Sequence, residues 1–328
     1  MTDNTMSAQT PTAKTTKIAP VATLTLNPAV DVSYRVKQLV PEQKAHAHAA
    51  RFDPGGNGVN VSRALRRLHV PAHCFAILAG EIGQLFFRMI SKHVDAPFCV
   101  WVDGETRINS TIVQEEPRQQ FEVSGIGPYV PEEPLAEITR ALLAACAGGL
   151  AVLTGSLPQG VPADYYASLI GRLREQGARA VVDASADYLR QVIPHRPFFI
   201  KPNRWELEQT LGRSLPDLDA VAQAAQEVRQ QGVEYVCVSL GKEGAILAGP
   251  EGVLHGAIPP VPVVSTVGAG DSMLGGLVAA LAQGQSPEEA LHLGLACGAG
   301  TVQQPGTELF DPEQLPALMA QITLRWLT

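Results

Sequence analysis

The chain has 328 residues, enough for one large α/β domain or two domains of roughly 150 residues each, and its 45% hydrophobic and 17% charged residues exclude a disordered or fibrous protein. A net charge of -7 without a basic stripe argues against a nucleic-acid partner. The five cysteines (74, 99, 146, 237 and 297) are odd in number and lack C-x-x-C, which fits reduced thiols in a cytoplasm, and no apolar run reaches the ~18 residues of a membrane span.

Residues 1–19, MTDNTMSAQTPTAKTTKIA, are polar and Thr-rich, which predicts a disordered tail and not a signal peptide. VATLTLNPAVDVSY then opens the folded part with a strand. In DPGGNGVNVSRALRRLHV a turn leads into a helix whose Val61, Ala64, Leu65 and Leu68 fall at i, i+3, i+4 and i+7. SYRVKQLVPEQKAHAHAARF, FCVWVD, NSTIVQ and QQFEV alternate loosely, as antiparallel strands with one wet face do. From about residue 131, helical patterns and short apolar strands alternate through GLAVLTGS, ARAVVDAS, PFFIKPN and EYVCVSLG, the signature of βαβ units around a parallel sheet. The C-terminal part, from DSMLGGLVAALAQG to PEQLPALMAQITLRWL, reads as helix after helix. The strands within about 31–52 and 98–123 interrupt the α/β pattern, so together they predict a small projecting sheet whose edges and partly apolar face suit pairing with a second copy.

Several loops carry chemistry. In TVGAGDS, Gly268 and Gly270 permit close backbone approach, so N–H groups of residues 268–271 can converge on an anion at the start of a helix. Asp271 beside such a site reads in two ways, as a helix cap or as the acceptor of a proton from an attacking hydroxyl. Gly55, Gly56 and Gly58 form a second flexible loop with Asn57 and Asn60, whose amides suit a polyol or, alternatively, a left-handed turn. Asp31 follows the first strand as a turn former or a hydroxyl acceptor. Lys201, Asn203 and Glu206 in IKPNRWEL sit at a strand's carboxyl end, where open α/β sheets bind ligands; N-x-x-E there suits Mg²⁺ held partly through water, or a capping box. Arg107 in GETRIN precedes an alternating strand, as a bidentate phosphate grip or a solvated surface charge, whereas Ser156 in TGSLPQG and Gly241 and Gly244 in VSLGKEG follow strands as Lys201 does. No G-x-x-x-x-G-K-[ST] occurs, and G-A-G-D-S-M lacks the third glycine of a dinucleotide fingerprint.

DPGGNGVNVSRAL and STVGAGDSMLGGL resemble the two signature segments of the ribokinase-like (PfkB) carbohydrate kinases, and TLTLNPAVD, GETRIN, TGSLPQG, VVDAS, KPNRWEL and VSLGKEGA follow in the family's order from about residue 21 to 310. TLTLNPAVD and KPN-x-x-EL are similar to the branch that phosphorylates fructose and tagatose phosphates. The resemblance implies a three-layer α/β sandwich over residues 20–328, with a mostly parallel central sheet and a β lid through which two copies pair. It implies ATP-dependent phosphorylation of a phosphohexose, fructose 6-phosphate first, with fructose 1-phosphate, tagatose 6-phosphate and a non-catalytic sugar-phosphate binder as alternatives. By the same resemblance, Asp271 is the base and Gly268, Ala269 and Gly270 the anion hole. Asp31, Gly55, Gly56, Asn57, Asn60 and Ser156 line the sugar site, and Arg107 and Lys44 lie near the phosphates. Lys201, Asn203, Ser239, Gly241 and Gly244 hold ATP, and Asn203 with Glu206 organises Mg²⁺. Ser265, Val267, Thr301, Gln304 and Gly306 fall where several members hold K⁺. Ala29 and Glu308 depart from the minor 6-phosphofructokinase, which has Ser and Arg there.

Overall fold

The computed structural model describes residues 18–327. Most of the tail expected over residues 1–19 therefore lies outside the described residues; at its end, the Ala19 N–H donates to the Ala282 carbonyl at 2.8 Å. The apolar pentapeptide VATLT is buried on both faces as β1 (Val21–Thr25). The chain then leaves the main sheet for β2 (Ala29–Val36) and β3 (Ala47–Gly55), and returns through α1 (Asn57–Arg67), β4 (His73–Ala79), α2 (Gly80–Ile90) and β5 (Ala96–Val102). A second excursion makes β6 (Arg107–Gln114) and β7 (Gln119–Val123). The βαβ part follows as α3 (Glu132–Ala145), β8 (Leu150–Thr154), α4 (Tyr165–Glu175), β9 (Arg179–Asp183), α5 (Ala186–Val192), β10 (Phe199–Ile200), α6 (Arg204–Leu211), α7 (Leu218–Gln230) and β11 (Tyr235–Ser239). It closes with β12 (Ala245–Gly249), β13 (Gly252–Ala257), α8 (Ala269–Ala282), α9 (Pro287–Thr301), α10 (Leu315–Met319) and β14 (Thr323–Leu327).

The large sheet runs β14-β13-β12-β11-β10-β9-β8-β1-β4-β5, parallel from β11 to β5, and the small sheet runs β3-β2-β6-β7. Period-2 alternation sends successive side chains to opposite faces. Leu153, Val182 and Val236 pack under α3, α4 and α7, while Val152, Val181 and Cys237 pack under α1, α8 and α9. The result is the ribokinase-like three-layer α/β sandwich with its smaller sheet. Among the described residues no helix is long and apolar enough to cross a membrane.

Three readings are corrected. FCVWVD, whose pattern predicts a lid strand, forms β5 and pairs parallel with β4 in the large sheet. As an edge strand it leaves Trp101 40% exposed while burying Val100, which imitates the one-wet-face pattern of a lid strand. Within the lid, β2 and β6 pair in parallel and not antiparallel, because the chain passes through the large sheet between them. The C-terminal ITLRWL is a strand and not a helix: its β-branched and aromatic residues complete an antiparallel edge, with Trp326 opposite Leu254.

Candidate active site

The parallel strands end on one edge of the sheet, and the loops that follow β1, β8, β9, β10 and β11 meet there with the N-termini of α1, α6 and α8. Gly268 is the residue before α8 and takes φ 76°, a left-handed conformation that costs glycine little. Because of that turn the N–H groups of Gly268, Gly270 and Asp271 donate to no atom of the described residues, and the helix field adds to theirs. Ala269, expected in the anion hole, instead turns its N–H to the Thr266 carbonyl at 3.3 Å, because that bond closes the turn.

Asp271 makes no capping hydrogen bond. Its side chain reaches across to α1, where Asn57 Nδ2 donates to Oδ1 at 2.9 Å and Asn60 Nδ2 donates to Oδ2 at 2.8 Å. Both asparagines lie inside a helix, so they are not the left-handed turn residues that the alternative reading required. The two helices can approach because α8 presents Gly275 to Ala64: a Cβ on Gly275 would lie 2.5 Å from that of Ala64. Burial is the main reason that Asp271 has its pKa pushed up to about 6; the Asn60 amide opposes the rise, the Asp183 carboxylate adds to it, and Asn57 and Lys201 oppose it.

Lys201 lies one residue beyond β10, in register beside Asp183 at the end of β9, and its Nζ meets Asp183 Oδ2 at 3.0 Å. The alternation that turns Val181 and Phe199 toward α8 also turns these two charges beneath it, and a Cβ on Gly270 would be 3.5 Å from Lys201 Nζ. Burial opposes charge on Lys201, but the carboxylates of Asp183, Asp271 and Glu206 outweigh it and hold the ammonium above its usual pKa. Asp183, the acid of VVDAS, carries no local sequence signal of this pairing.

On the lid side, Asn109 opposes Asp31 across β2 and β6 and donates to its Oδ1 at 2.8 Å. Gly55 is required there by space, since a Cβ would stand 2.2 Å from Asp31 Oδ2. Arg107 Nε and Nη2 donate to the Asn27 carbonyl at 3.1 and 2.8 Å, and Asn27 Nδ2 donates to Ser156 Oγ at 3.1 Å. Asn27, missed as an individual residue, thus ties the lid to the ends of β1 and β8, while Asn109, also missed, holds Asp31 within the lid and accepts from the Gly125 N–H at 3.1 Å. Asn27 Oδ1 is buried without a partner among the described residues. Gly56, with φ 122°, starts α1. Lys44 is exposed in the β2–β3 connection, and no hydrogen bond or ion pair draws it toward this cluster.

Asn203 and Glu206 form the complete capping box of α6, each side chain bonded to the other's backbone N–H at 2.8 Å. Asn203 also bridges to Ser239, beyond which Gly241 and Gly244 turn the chain with φ 60° and 87°. The loop before α8 packs on the end of α9: Ser265 Oγ donates to the Gly306 carbonyl at 2.8 Å and accepts from the Val267 N–H at 3.3 Å. The Gln304 N–H donates to the Thr301 carbonyl at 2.9 Å, while the Thr301 hydroxyl is engaged by Ser272 and the Phe310 N–H. Among the described residues no group of three His, Cys, Asp or Glu side chains forms a metal cage. The donors instead fit a divalent ion held largely by water and phosphate oxygens, with Glu206 and Asp183 supplying negative charge nearby.

A proton acceptor between two amides, facing a helix start with free N–H groups at the carboxyl edge of a ribokinase-like sheet, defines a phosphoryl-transfer enzyme of that fold class. A family model described as pfkB family carbohydrate kinase matches residues 21–314, and the chain belongs to that family. The 1-phosphofructokinase of Rhodobacter capsulatus is 36% identical over 311 residues, covering 94% of this chain and 98% of that protein. The ATP-dependent 6-phosphofructokinase isozyme 2 of Escherichia coli (strain K12) is 32% identical over 305 residues, covering 92% and 99%. The crystal structure of phosphofructokinase-2 from Escherichia coli in complex with potassium superimposes with a TM-score of 0.87 at 32% identity, covering 92% of this chain and 99% of that one. The protein is an ATP-dependent sugar-phosphate kinase of the phosphofructokinase type, and kinases of this family use ATP with a divalent metal.

Proposed function

We propose that the enzyme transfers the γ-phosphoryl group of ATP to a fructose monophosphate, forming fructose 1,6-bisphosphate. The observation that carries the reading is Asp271, whose buried carboxylate is poised between Asn57, Asn60 and the free N–H groups at the start of α8. Asp271 accepts the proton of the sugar hydroxyl as its oxygen attacks phosphorus, and the N–H groups of Gly268, Gly270 and Asp271 bind the charge that develops. Asp31, Gly55, Gly56, Asn57, Asn60 and Ser156 form the sugar site, with Asn109 orienting Asp31. Arg107 meets the sugar phosphate; Lys44, the other basic residue expected there, stands exposed outside the cluster and would have to be carried to the phosphate by the β2–β3 connection. Lys201, Asn203, Ser239, Gly241 and Gly244 take the nucleotide.

Asn203 and Glu206 would hold Mg²⁺ partly through water, and the ion would supply charge neutralisation on the phosphate. Ser265, Val267, Thr301, Gln304 and Gly306 supply carbonyl and hydroxyl oxygens suited to K⁺, the ion in complex with the Escherichia coli phosphofructokinase-2. Pairing of two copies through the lid is supported by Phe52, Phe121 and Val123, which expose apolar surface on one face of the small sheet.

The acceptor first expected was fructose 6-phosphate. Fructose 1-phosphate is favoured by the 36% identity to a 1-phosphofructokinase and by Ala29 and Glu308, which depart from the minor 6-phosphofructokinase. ADP release measured with fructose 1-phosphate, fructose 6-phosphate, tagatose 6-phosphate, ribose and adenosine tests the reading. The highest kcat/KM is expected for fructose 1-phosphate. A preference for fructose 6-phosphate would reverse the acceptor, and a preference for ribose or adenosine would overturn the phosphosugar reading.

A further inference from the structure

Away from the sheet edge that carries the active site, the C-terminal half of α1 and the turn after α2 enclose a pocket of about 210 Å³ lined by Arg63, Arg66, Arg67, Lys92 and His93. We infer that this pocket is a second ligand site, for a small multivalent oxyanion of the phosphate class. The inference does not depend on which sugar the kinase phosphorylates.

Charge is the first argument. Arg63, Arg66, Arg67 and Lys92 bring four cationic side chains together. Two carboxylates answer them, Asp95 at 3.5 Å from Arg66 and Glu308 bonded to Arg67, so four minus two leaves two positive charges in a chain of net charge -7. Two arginines in the last turn of α1 offset the negative end of that helix, which accounts for Arg66 and Arg67. It does not account for Arg63 or for Lys92, which comes from another element.

Arg63 is the second argument. It is only 5% exposed, and a guanidinium buried so deeply is expected to find acceptors for its donors. One nitrogen does so: Nη1 donates to Asn60 Oδ1 at 3.0 Å and to the Thr307 carbonyl at 3.3 Å. Nε and Nη2 donate to no atom of the described residues, yet neither is a fully buried unpartnered atom, so both reach the solvent of the pocket, and Lys92 Nζ likewise has no partner among the described residues. A guanidinium fork with two free edges beside an ammonium suits a phosphate, whose oxygens accept several charge-assisted bonds at once. The volume is below the 300–1,000 Å³ typical of sites for drug-sized ligands, so the pocket takes a phosphate or the phosphate end of a metabolite. His93 at its rim has its pKa held down by burial and by the surrounding arginines, which gives a local reporter of an arriving anion.

The site also has a route to the kinase centre. Asn60 accepts from Arg63 and donates to Asp271, so one amide separates the pocket from the candidate base. An anion that draws the Arg63 guanidinium outward changes the support of that amide.

The test titrates the full chain with inorganic phosphate, pyrophosphate and glycerol 3-phosphate, with sodium chloride at matched ionic strength as control, while following the His93 ring by NMR, assigned through His93→Gln. Phosphate is expected to raise the His93 pKa by roughly 0.5 or more and to saturate, because a bound dianion offsets the neighbouring cations. Arg66→Ala/Lys92→Ala is expected to abolish the shift while retaining basal kinase turnover and phosphate competition with ATP at the kinase site. An equal effect from chloride, an equal effect in the double variant, or an unmoved His93 while phosphate competes with ATP would each overturn the inference.

Discussion

Asn60 donates its side-chain amide to Asp271 Oδ2 at 2.8 Å, joining α1 to α8 across 211 residues of chain. A carboxylate held in this way is oriented without being neutralised: the two amides of Asn57 and Asn60 favour its charge, while burial disfavours it more strongly. The balance near 6 leaves most of the group ionised at neutral pH, yet basic enough to accept a proton from a hydroxyl.

The first prediction is a pH profile. With Asp271 as base, kcat/KM for the sugar phosphate falls about tenfold per pH unit below an apparent pKa near 6, since the protonated carboxyl cannot accept another proton. Asn60→Ala removes an interaction that lowers this pKa, so its acid limb moves to higher pH. Initial rates across the range, with nucleotide and metal saturating, check both directions. An acid limb that stays near pH 4 would sink the assignment.

Asp271→Asn separates catalysis from stability. The variant is expected to lose at least about 100-fold in kcat while sugar phosphate and ATP still bind. Its folded-state pKa of about 6 lies above the ordinary 3.8, so this carboxyl's contribution to stability is fully present below pH 4 and is lost as pH rises through 6. The ceiling on that loss is on the order of 3 kcal/mol. Asparagine removes the buried charge, and the Asn57 amide can turn over to accept from it. The variant is therefore more stable than the wild type at pH 8 and no more stable at pH 4, as urea unfolding at the two pH values measures.

How much of this was legible without a structure differs by residue. The α8 loop and the Asn57–Asn60 segment were readable because glycine before a helical pattern has a direct meaning, although the cap and base readings of Asp271 could be parted only by finding its partners on another helix. Asp183 was not readable, because a single acid ending an apolar strand looks like any turn. Its pairing with Lys201 depends on the register of β9 against β10, which local pattern does not encode. Edge strand β5 misled for a related reason: exposure at a sheet edge and exposure on a lid produce the same alternation. Glu308 was visible only as a departure from relatives, whereas the structure sets it against Arg67 and Arg51.

Gly55→Ala probes the sugar site alone. A methyl group there meets the Asp31 carboxylate at 2.2 Å and displaces it, while the backbone of β3 at this position accepts alanine. KM for the sugar phosphate is expected to rise about tenfold, equivalent to roughly 1.4 kcal/mol, with KM for ATP and the melting temperature little changed. A parallel rise in both KM values would argue that Asp31 serves the fold and not the sugar.

The buried pair under α8 gives the last prediction. Lys201→Met leaves Asp183 as an uncompensated charge in a largely buried position, and removing one partner of a buried pair typically costs about 3–5 kcal/mol, the upper limit here because Asp183 keeps some access to water. The cost depends on Asp183 being ionised. Burial raises the Asp183 pKa even in the presence of Lys201, so without the lysine its carboxyl protonates more readily still, and the deficit shrinks as pH falls. Asp183→Asn/Lys201→Met removes both charges and should recover most of the lost stability without recovering activity, because the Lys201 ammonium lies beside Gly270 at the proposed nucleotide site. Urea unfolding of the single and double variants at pH 8 and pH 5 distinguishes this from a packing effect. If the methionine variant is equally destabilised at both pH values and the double variant is no better, lost packing and not unpaired charge is the cause.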